Sequence, residues 1–201
     1  MVEYPGDVDV QPQSTADGWY VTKVIGLVAV AFSLFHVYTA IFGLFGFVIQ
    51  RGVHLAFAVT LIALQRPLGK SLTAKSSSLL LPKAFLTFDI IMIILMWVSV
   101  YVSHWQYMMR LQGTGQYSVY AIIAGAILLL VVLEISRRKI GWILPILALV
   151  SVFYALAGRH MPEVIMHRGY SLERIFAFLA VNADGMFGIT LKVSSTIIFM
   201  F

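Results

Sequence analysis

The sequence predicts an all-α, polytopic membrane protein. Hydrophobic residues make up 60% of the 201 residues, charged residues make up only 11%, and the mean hydropathy is +0.91. A single soluble core of this length would not need so much apolar surface. The apolar residues also fall into long runs separated by short polar segments, as membrane-spanning helices do. We predict about four transmembrane helices, a connecting fifth helix, an interfacial helix and a truncated sixth span.

The clearest topological marker is the charged segment 134–139, which lies between two apolar runs. Its three consecutive cations, Arg137, Arg138 and Lys139, would each cost about 2.5 to 3.5 kcal/mol at the centre of a membrane helix. We therefore predict a turn at the membrane surface, on the cytoplasmic side by the positive-inside rule. Counting back from this turn places the N-terminus in the cytoplasm as well.

The N-terminal half is predicted to form a tail and a four-span domain. Residues 1–20 hold four acidic residues and no Lys or Arg, and their composition is typical of a disordered tail. The four-span domain covers 21–140, with spans at 24–49, 53–64, 84–105 and 117–133 and a first turn at 50–52. By length alone, 53–64 favours an interfacial or re-entrant segment. We interpret it as a span, because a crossing there puts the basic segment 66–83 on the same face as 134–139.

The C-terminal part is predicted to continue the membrane domain. Residues 141–157 form the connecting helix, with Pro145 in the first turns, where proline costs a helix least. Residues 158–201 hold an external loop, an amphipathic helix capped by Ser171, and a last apolar run, 193–201, that is too short for a hydrocarbon core of about 30 Å. The amphipathic helix is predicted to lie flat in the membrane interface on an apolar face. That face comprises Leu172, Ile175, Phe176 and Leu179.

Two acidic residues are candidates for function. Glu134 precedes Arg137 and Arg138 by three and four residues, the spacing of helix ion pairs. It is either a coupling-ion site or a salt bridge at the interface, and its exposed position favours the salt bridge. Asp89 lies about one and a half turns into the third span, where it must be neutral, paired or beside a polar cavity. The simpler interpretation is a satisfied acid near a helix N-terminus, where the helix dipole favours a negative charge.

The five His and the absence of Cys limit the possible metal chemistry. Without Cys there are no disulfides, thiolate ligands or cysteine nucleophiles. His54 and His104 are predicted near the same outer end of neighbouring spans, which makes them a candidate haem-ligand pair, while His36 stands alone in mid-span. A His side chain is more often hydrogen-bonded than bound to a metal or haem. We therefore expect no cofactor or metal in this chain.

The motif content predicts neither an enzyme nor a nucleic-acid-binding protein. No hydrolase, metalloprotease or Walker signature is present. The cations are dispersed between the predicted spans, where the positive-inside bias already accounts for them, and they do not form a basic stripe.

Three segments resemble the fused permeases of TRAP transporters, and most of all those that work with TAXI-type solute-binding proteins. They are 133–149 (LEISRRKIGWILPILAL), 167–174 (HRGYSLER) and 184–195 (DGMFGITLKVSS). The last is similar to the junction with the large transport domain of that family, although Thr190 and Lys192 stand where Pro and Gly are expected. The resemblance covers the chain from about residue 54 to its end.

The resemblance implies a membrane component for binding-protein-dependent, sodium-coupled uptake of small organic acids. This chain would be its N-terminal, non-transporting portion, and the substrate and sodium sites would lie in a large domain beyond Phe201. In that family the small domain braces the large one and offers part of the docking surface for the periplasmic binding protein. The resemblance therefore implies roles for His167 and Arg168 in the external loop and for Gly185 and Gly188 at the junction.

The implied location is the inner membrane of a bacterium or archaeon. The implied partners are a TAXI-type binding protein, the remainder of the permease or a separate large subunit, and the lipid membrane. Two alternatives stay open. One is a stand-alone structural or assembly subunit of a membrane complex, and the other is a b-type haem protein built on His54 and His104.

Overall fold

The computed structural model describes residues 16–68, 80–113 and 117–197, and its regular structure within those ranges is helical. The helices are α1 (Ala16–Phe42), α2 (Phe47–Gln65), α3 (Leu80–Leu111), α4 (Val119–Ile140), α5 (Ile143–Ala157), α6 (Leu172–Val181) and α7 (Ile189–Lys192). A 3-10 turn, Gly158–His160, follows α5, and a π-helical turn, Val193–Ile197, follows α7. The predicted tail lies outside the described residues as far as residue 15, and α1 already begins at Ala16.

Five helices are long and apolar enough to cross a membrane. They cover Val21–Phe42, Phe47–Gln65, Phe85–Leu111, Val119–Ile140 and Ile143–His160. This confirms the prediction of an all-α, polytopic membrane protein with four spans and a connecting fifth. The short run 53–64 is part of α2, whose 19 residues reach close to 30 Å at about 1.5 Å per residue.

The first turn comes earlier than predicted. The predicted span 24–49 and turn at 50–52 are wrong, because the chain turns at residues 43–46. Gly43 has a φ of +100°, a conformation that residues with a Cβ rarely adopt, and its N–H donates to the Thr39 carbonyl at 3.1 Å. Apolar residues flank this turn on both sides, so the hydropathy pattern does not mark it.

The charged segment 134–139 is helical rather than a turn. α4 continues through it and ends at Gly141, whose φ is +101°. The predicted third span, 84–105, also ends too early, because α3 continues to Leu111. The predicted connecting helix, 141–157, begins two residues before α5 and ends with it at Ala157.

The core lies between α2, α3 and α4. Its fully buried apolar side chains include Ala56 on α2, Met96 on α3 and Leu128 on α4. Helices α1 and α5 lie at the periphery and keep most of their apolar side chains exposed. The buried face of the bundle is therefore formed by three spans that are each partly buried, and not by one central helix.

Helix α6 packs against the first half of α4. Ser171 caps it as predicted, since its Oγ accepts a hydrogen bond from the Arg174 N–H at 3.3 Å. On the apolar face predicted to lie in the membrane interface, Leu172 is 49% exposed, and the contact of this face with a membrane stays a prediction. The side chains that α6 buries completely are Ala177, Ala180 and Val181. Contact with α4 thus determines which face of α6 is buried within the bundle.

Candidate functional site

An ion-pair cluster lies at the end of the bundle where α2 and α4 end. Its four charged side chains are Asp89, Glu134, Arg137 and Arg138. Arg138 donates from Nη1 to Asp89 Oδ1 at 2.6 Å and from Nε to Glu134 Oε1 at 2.8 Å. Arg137 donates to both Glu134 oxygens, at 2.8 and 2.7 Å. Two cations and two anions therefore balance one another.

Asp89 and Arg138 are buried, which corrects the exposed position predicted for Arg138. Their side chains are only 5% and 4% exposed. Arg138 follows Val131 and Ile135 at the helical spacing of the buried face of α4, so its side chain enters the core. Asp89 lies nine residues after the start of α3 at Leu80, too far for the helix dipole to explain its charge. Its partner is Arg138.

The ion-pair cluster also holds the end of α2. The Leu68 N–H donates to Asp89 Oδ2 at 3.1 Å, and Arg66 Nη1 donates to the Arg138 carbonyl at 3.3 Å. These contacts bring residues 66–68, at the start of the basic segment 66–83, to the same end of the bundle as 134–139. The geometry is that of a brace that joins α2, α3 and α4.

A second polar group, which we call the histidine cluster, lies toward the opposite end of α2. It consists of His36, Thr39, Gln50, His54, Ser194 and Ser195. His36 Nε2 lies 3.0 Å from His54 Nδ1, and His54 Nε2 lies 2.9 Å from Ser194 Oγ. Both imidazoles are buried. One of the two facing nitrogens donates the hydrogen bond and the other accepts it, so only one of these two nitrogens carries a proton.

Gln50 extends the histidine cluster. Its Nε2 donates to Thr39 Oγ1 and to the Ser195 carbonyl, both at 3.3 Å. Its Oε1 is buried and accepts no hydrogen bond from a described residue. A buried acceptor left in that state costs about 1–3 kcal/mol. Ser195 belongs to the π-helical turn, a conformation that is frequent at functional sites.

This cluster is not predictable from a first turn at 50–52, because the chain turns at 43–46. His36 precedes Gly43 by seven residues and His54 follows Gly46 by eight, so the hairpin α1–α2 brings both imidazoles to one depth. The haem-ligand pair of His54 with His104 stays a prediction, since the contacts that His54 makes here are to other residues. Both ring nitrogens of His54 are engaged by His36 and Ser194, while His104 lies beside a surface depression that Tyr101, Trp105 and Met108 also line.

The loop of residues 158–170, which was predicted to be external, is held in shape by His167. The Nε2 of His167 lies 3.0 Å from the Tyr154 carbonyl, and its Nδ1 accepts from the Gly169 N–H at 3.1 Å. A Cβ on Gly158 would overlap the imidazole. Arg168 has an exposed side chain, and its carbonyl accepts from Arg159 Nε at 2.7 Å. His167 thus has a positioning role, and Arg168 is the member of the predicted pair that faces solvent.

Gly185 and Gly188 lie in a turn that folds back against α6. A Cβ on Gly185 would overlap the Phe178 carbonyl, and one on Gly188 would lie 3.0 Å from the Gly185 carbonyl oxygen. The turn is also fastened to α2, because the Arg51 guanidinium donates to the carbonyls of Ala183 and Phe187. Both glycines are explained by backbone packing.

The bond between His54 and Ser194 is expected to hold residues 189–197 on α2. In a double-mutant cycle of His54→Leu and Ser194→Ala, we expect a coupling free energy of about 1 kcal/mol, the usual value of one hydrogen bond. Unfolding in mixed micelles, followed by Trp fluorescence, measures it. Ser151→Ala is the matched control, because Ser151 Oγ donates to the Leu147 carbonyl of its own helix and, among the described residues, joins no other segment. Coupling near zero would contradict the anchoring role.

Comparisons of the chain with protein-family models, curated proteins and solved structures found no match. The structure shows a helical bundle with five candidate spans, a buried ion-pair cluster at one end and a buried histidine cluster toward the other. Function therefore has to be proposed from the residues and their contacts.

Proposed function

We propose that this chain is the membrane scaffold portion of a TRAP-type secondary transporter. The complete transporter takes up small organic acids together with sodium ions and depends on a TAXI-type binding protein. Support from the sequence is the resemblance of 133–149, 167–174 and 184–195 to fused permeases. In this proposal the chain lies in the inner membrane with a cytoplasmic N-terminus, and the sodium and substrate sites belong to the large domain.

One structural observation carries the proposal. Residues 183–197 are fastened to α2 by hydrogen bonds from side chains that are 132 to 145 residues away in sequence. Gln50, Arg51 and His54 supply these contacts, and Phe187 packs in full burial beside Gly52. A domain that braces a larger moving domain needs a firm attachment where the two meet, and this attachment lies in the segment that resembles the family's junction.

The ordered external loop fits the same role. Because His167 fixes the backbone of residues 158–170, the exposed Arg168 is presented without a further ordering cost. A rim charge of this kind mainly steers association with a soluble partner. The periplasmic binding protein is the partner that we propose for this face.

The experiment that tests the proposal is to read the source DNA past the codon for Phe201. We expect either an open frame of several hundred mostly apolar residues or a neighbouring gene for a separate large subunit, with a binding-protein gene close by. If a stop codon follows at once, co-purification of this chain from its source membranes decides. Recovery of the chain without any large membrane subunit would contradict the proposal.

The exposed faces of α1 and α5 favour a second candidate, a structural or assembly subunit of a different membrane complex. These helices present apolar side chains such as Leu27 and Leu34 on α1 and Phe153 on α5, which lipid or another subunit must cover. The same co-purification separates the two candidates by the identity of the recovered partner. A Soret band in the purified chain would instead support the haem alternative.

A further inference from the structure

A half-open cavity of about 490 Å³ lies where four parts of the chain meet. These are the start of α4, the end of α5, the end of the external loop and α6. Its lining residues are Tyr117, Ala155, Tyr170, Arg174, Ile175, Phe178, Leu179 and Asn182. The walls are mainly apolar, and the polar groups that reach the cavity belong to Arg174, Tyr117, Tyr170 and Asn182. This combination is typical of a small-molecule site in both size and chemistry.

Two arginines lie over the tyrosines of this cavity. The guanidinium carbon of Arg174 is 5.5 Å from the ring centre of Tyr170, and that of Arg110 is 4.4 Å from the ring centre of Tyr117. Within the described parts of the chain, neither arginine forms an ion pair with an Asp or Glu, in contrast to the arginines of the ion-pair cluster. The cavity therefore has positive charge that the described chain does not neutralise.

The cavity lies at the end of two candidate membrane spans. Tyr117 precedes the first turn of α4, and Ala155 belongs to the last turn of α5, so the cavity is at the end of α4 that is remote from the ion-pair cluster. Tyrosine and arginine at the ends of spans are typical of the membrane–water boundary, where an apolar wall meets a polar head-group layer.

We propose that this cavity binds an amphipathic anion, namely an alkyl chain that carries one phosphate or carboxylate head. Arg174 would hold the head through charge-assisted hydrogen bonds, the geometry that guanidinium groups favour. The Tyr117 hydroxyl accepts from Asn182 Nδ2 at 3.5 Å, which leaves its own proton free for the head group. The chain would lie along Ile175, Phe178 and Leu179. An anionic phospholipid and a free fatty acid both have this chemistry, and the inference does not depend on the proposed transport function.

The test is native mass spectrometry on the full chain purified in a neutral detergent. One arm titrates a phosphatidylglycerol, with phosphatidylcholine as the neutral comparison, and a second arm titrates sodium decanoate. We expect saturable binding of at least one anionic probe, preferred over phosphatidylcholine, and about tenfold weaker binding in Arg174→Gln, as for the loss of one hydrogen bond to a charged group. Lys139→Gln removes a positive charge from an exposed site at the opposite end of α4, outside the cavity, and should bind like the parent chain.

The two arms identify the source of the ligand. Binding of phosphatidylglycerol alone supports a lipid site, and binding of decanoate supports a site for free acids, provided that each depends on Arg174. The second variant, Tyr117→Phe, keeps the ring and should weaken binding by a smaller factor. The inference is overturned if no anionic probe binds in preference to phosphatidylcholine, or if Arg174→Gln and Lys139→Gln weaken binding equally.

Discussion

Replacing Asp89 with Asn is expected to lower the free energy of unfolding by about 3 kcal/mol. Asn keeps the shape of Asp89 and can still accept from the Leu68 N–H, so the change removes mainly charge. It leaves Arg137 and Arg138 opposite Glu134 alone, with one buried positive charge in excess. Removal of one partner from a buried ion pair typically costs 3–5 kcal/mol, and we take the lower end because Glu134 still contacts Arg138 at 2.8 Å.

A double variant tests whether the cost comes from the unpaired charge. Asp89→Leu with Arg138→Met removes both members of the buried pair, and replacement of a buried pair by apolar side chains is often neutral. We therefore expect the double variant to unfold closer to the parent chain than Asp89→Asn does. Unfolding in mixed micelles, followed through the four Trp, gives these free energies. Glu163→Gln, at an exposed acid of the loop 158–170, is the matched control and should stay within about 0.5 kcal/mol. A parent-like Asp89→Asn would show that the ion-pair cluster does not brace the bundle.

The sequence predicted what hydropathy and charge placement determine. Five apolar runs became five candidate spans, and two basic segments were expected at one face, where Arg66 and Arg138 now meet. Hydropathy could not locate the first turn, because Gly43 and Gly46 lie within continuous apolar sequence. The backbone conformation of Gly43, and not its polarity, turns the chain.

The candidate site was harder to predict for a related reason. The ion pairs of Glu134 depend on spacing along one helix and were visible in the sequence. The pairing of Asp89 with Arg138 joins two helices, and it depends on which face of α4 turns inward. The histidine cluster requires three segments, one of which is 140 residues away from His54. No local pattern carries that information.

The two clusters together explain how a bundle with little fully buried apolar surface keeps a defined arrangement. The ion-pair cluster fixes α2, α3 and α4 at one end, and the histidine cluster fastens Ser194 and Ser195 to the α1–α2 hairpin toward the other. Polar contacts between helices have particular weight in a membrane, because apolar side chains gain little by leaving lipid for another helix. Close backbone approach is the other source of stability available there.

Gly125→Ala tests that close approach, and we expect it to separate α6 from α4. A Cβ at Gly125 would overlap the carbonyl of Phe176 and lie 3.1 Å from its Cα. Since the obstructing atoms belong to the backbone of a helix, a rotamer change cannot relieve the overlap, and α6 must shift as a unit. Overpacking of this kind costs about 1–3 kcal/mol. The side chains of Ala177 and Ala180 are fully buried in the parent chain and would become more exposed.

The absence of Cys makes this shift directly measurable. A Cys introduced at Ala177 should react with a maleimide reagent slowly in the parent background and markedly faster with Gly125→Ala. Gly26→Ala on α1 is the matched control, because a Cβ there meets nothing within 4 Å. In an unobstructed helix the same substitution is expected to stabilise by up to about 1 kcal/mol, so the two variants should differ in sign. If both substitutions change stability and labelling alike, intrinsic helix propensity governs the effect. The close contact of α4 with α6 at Gly125 would then be contradicted.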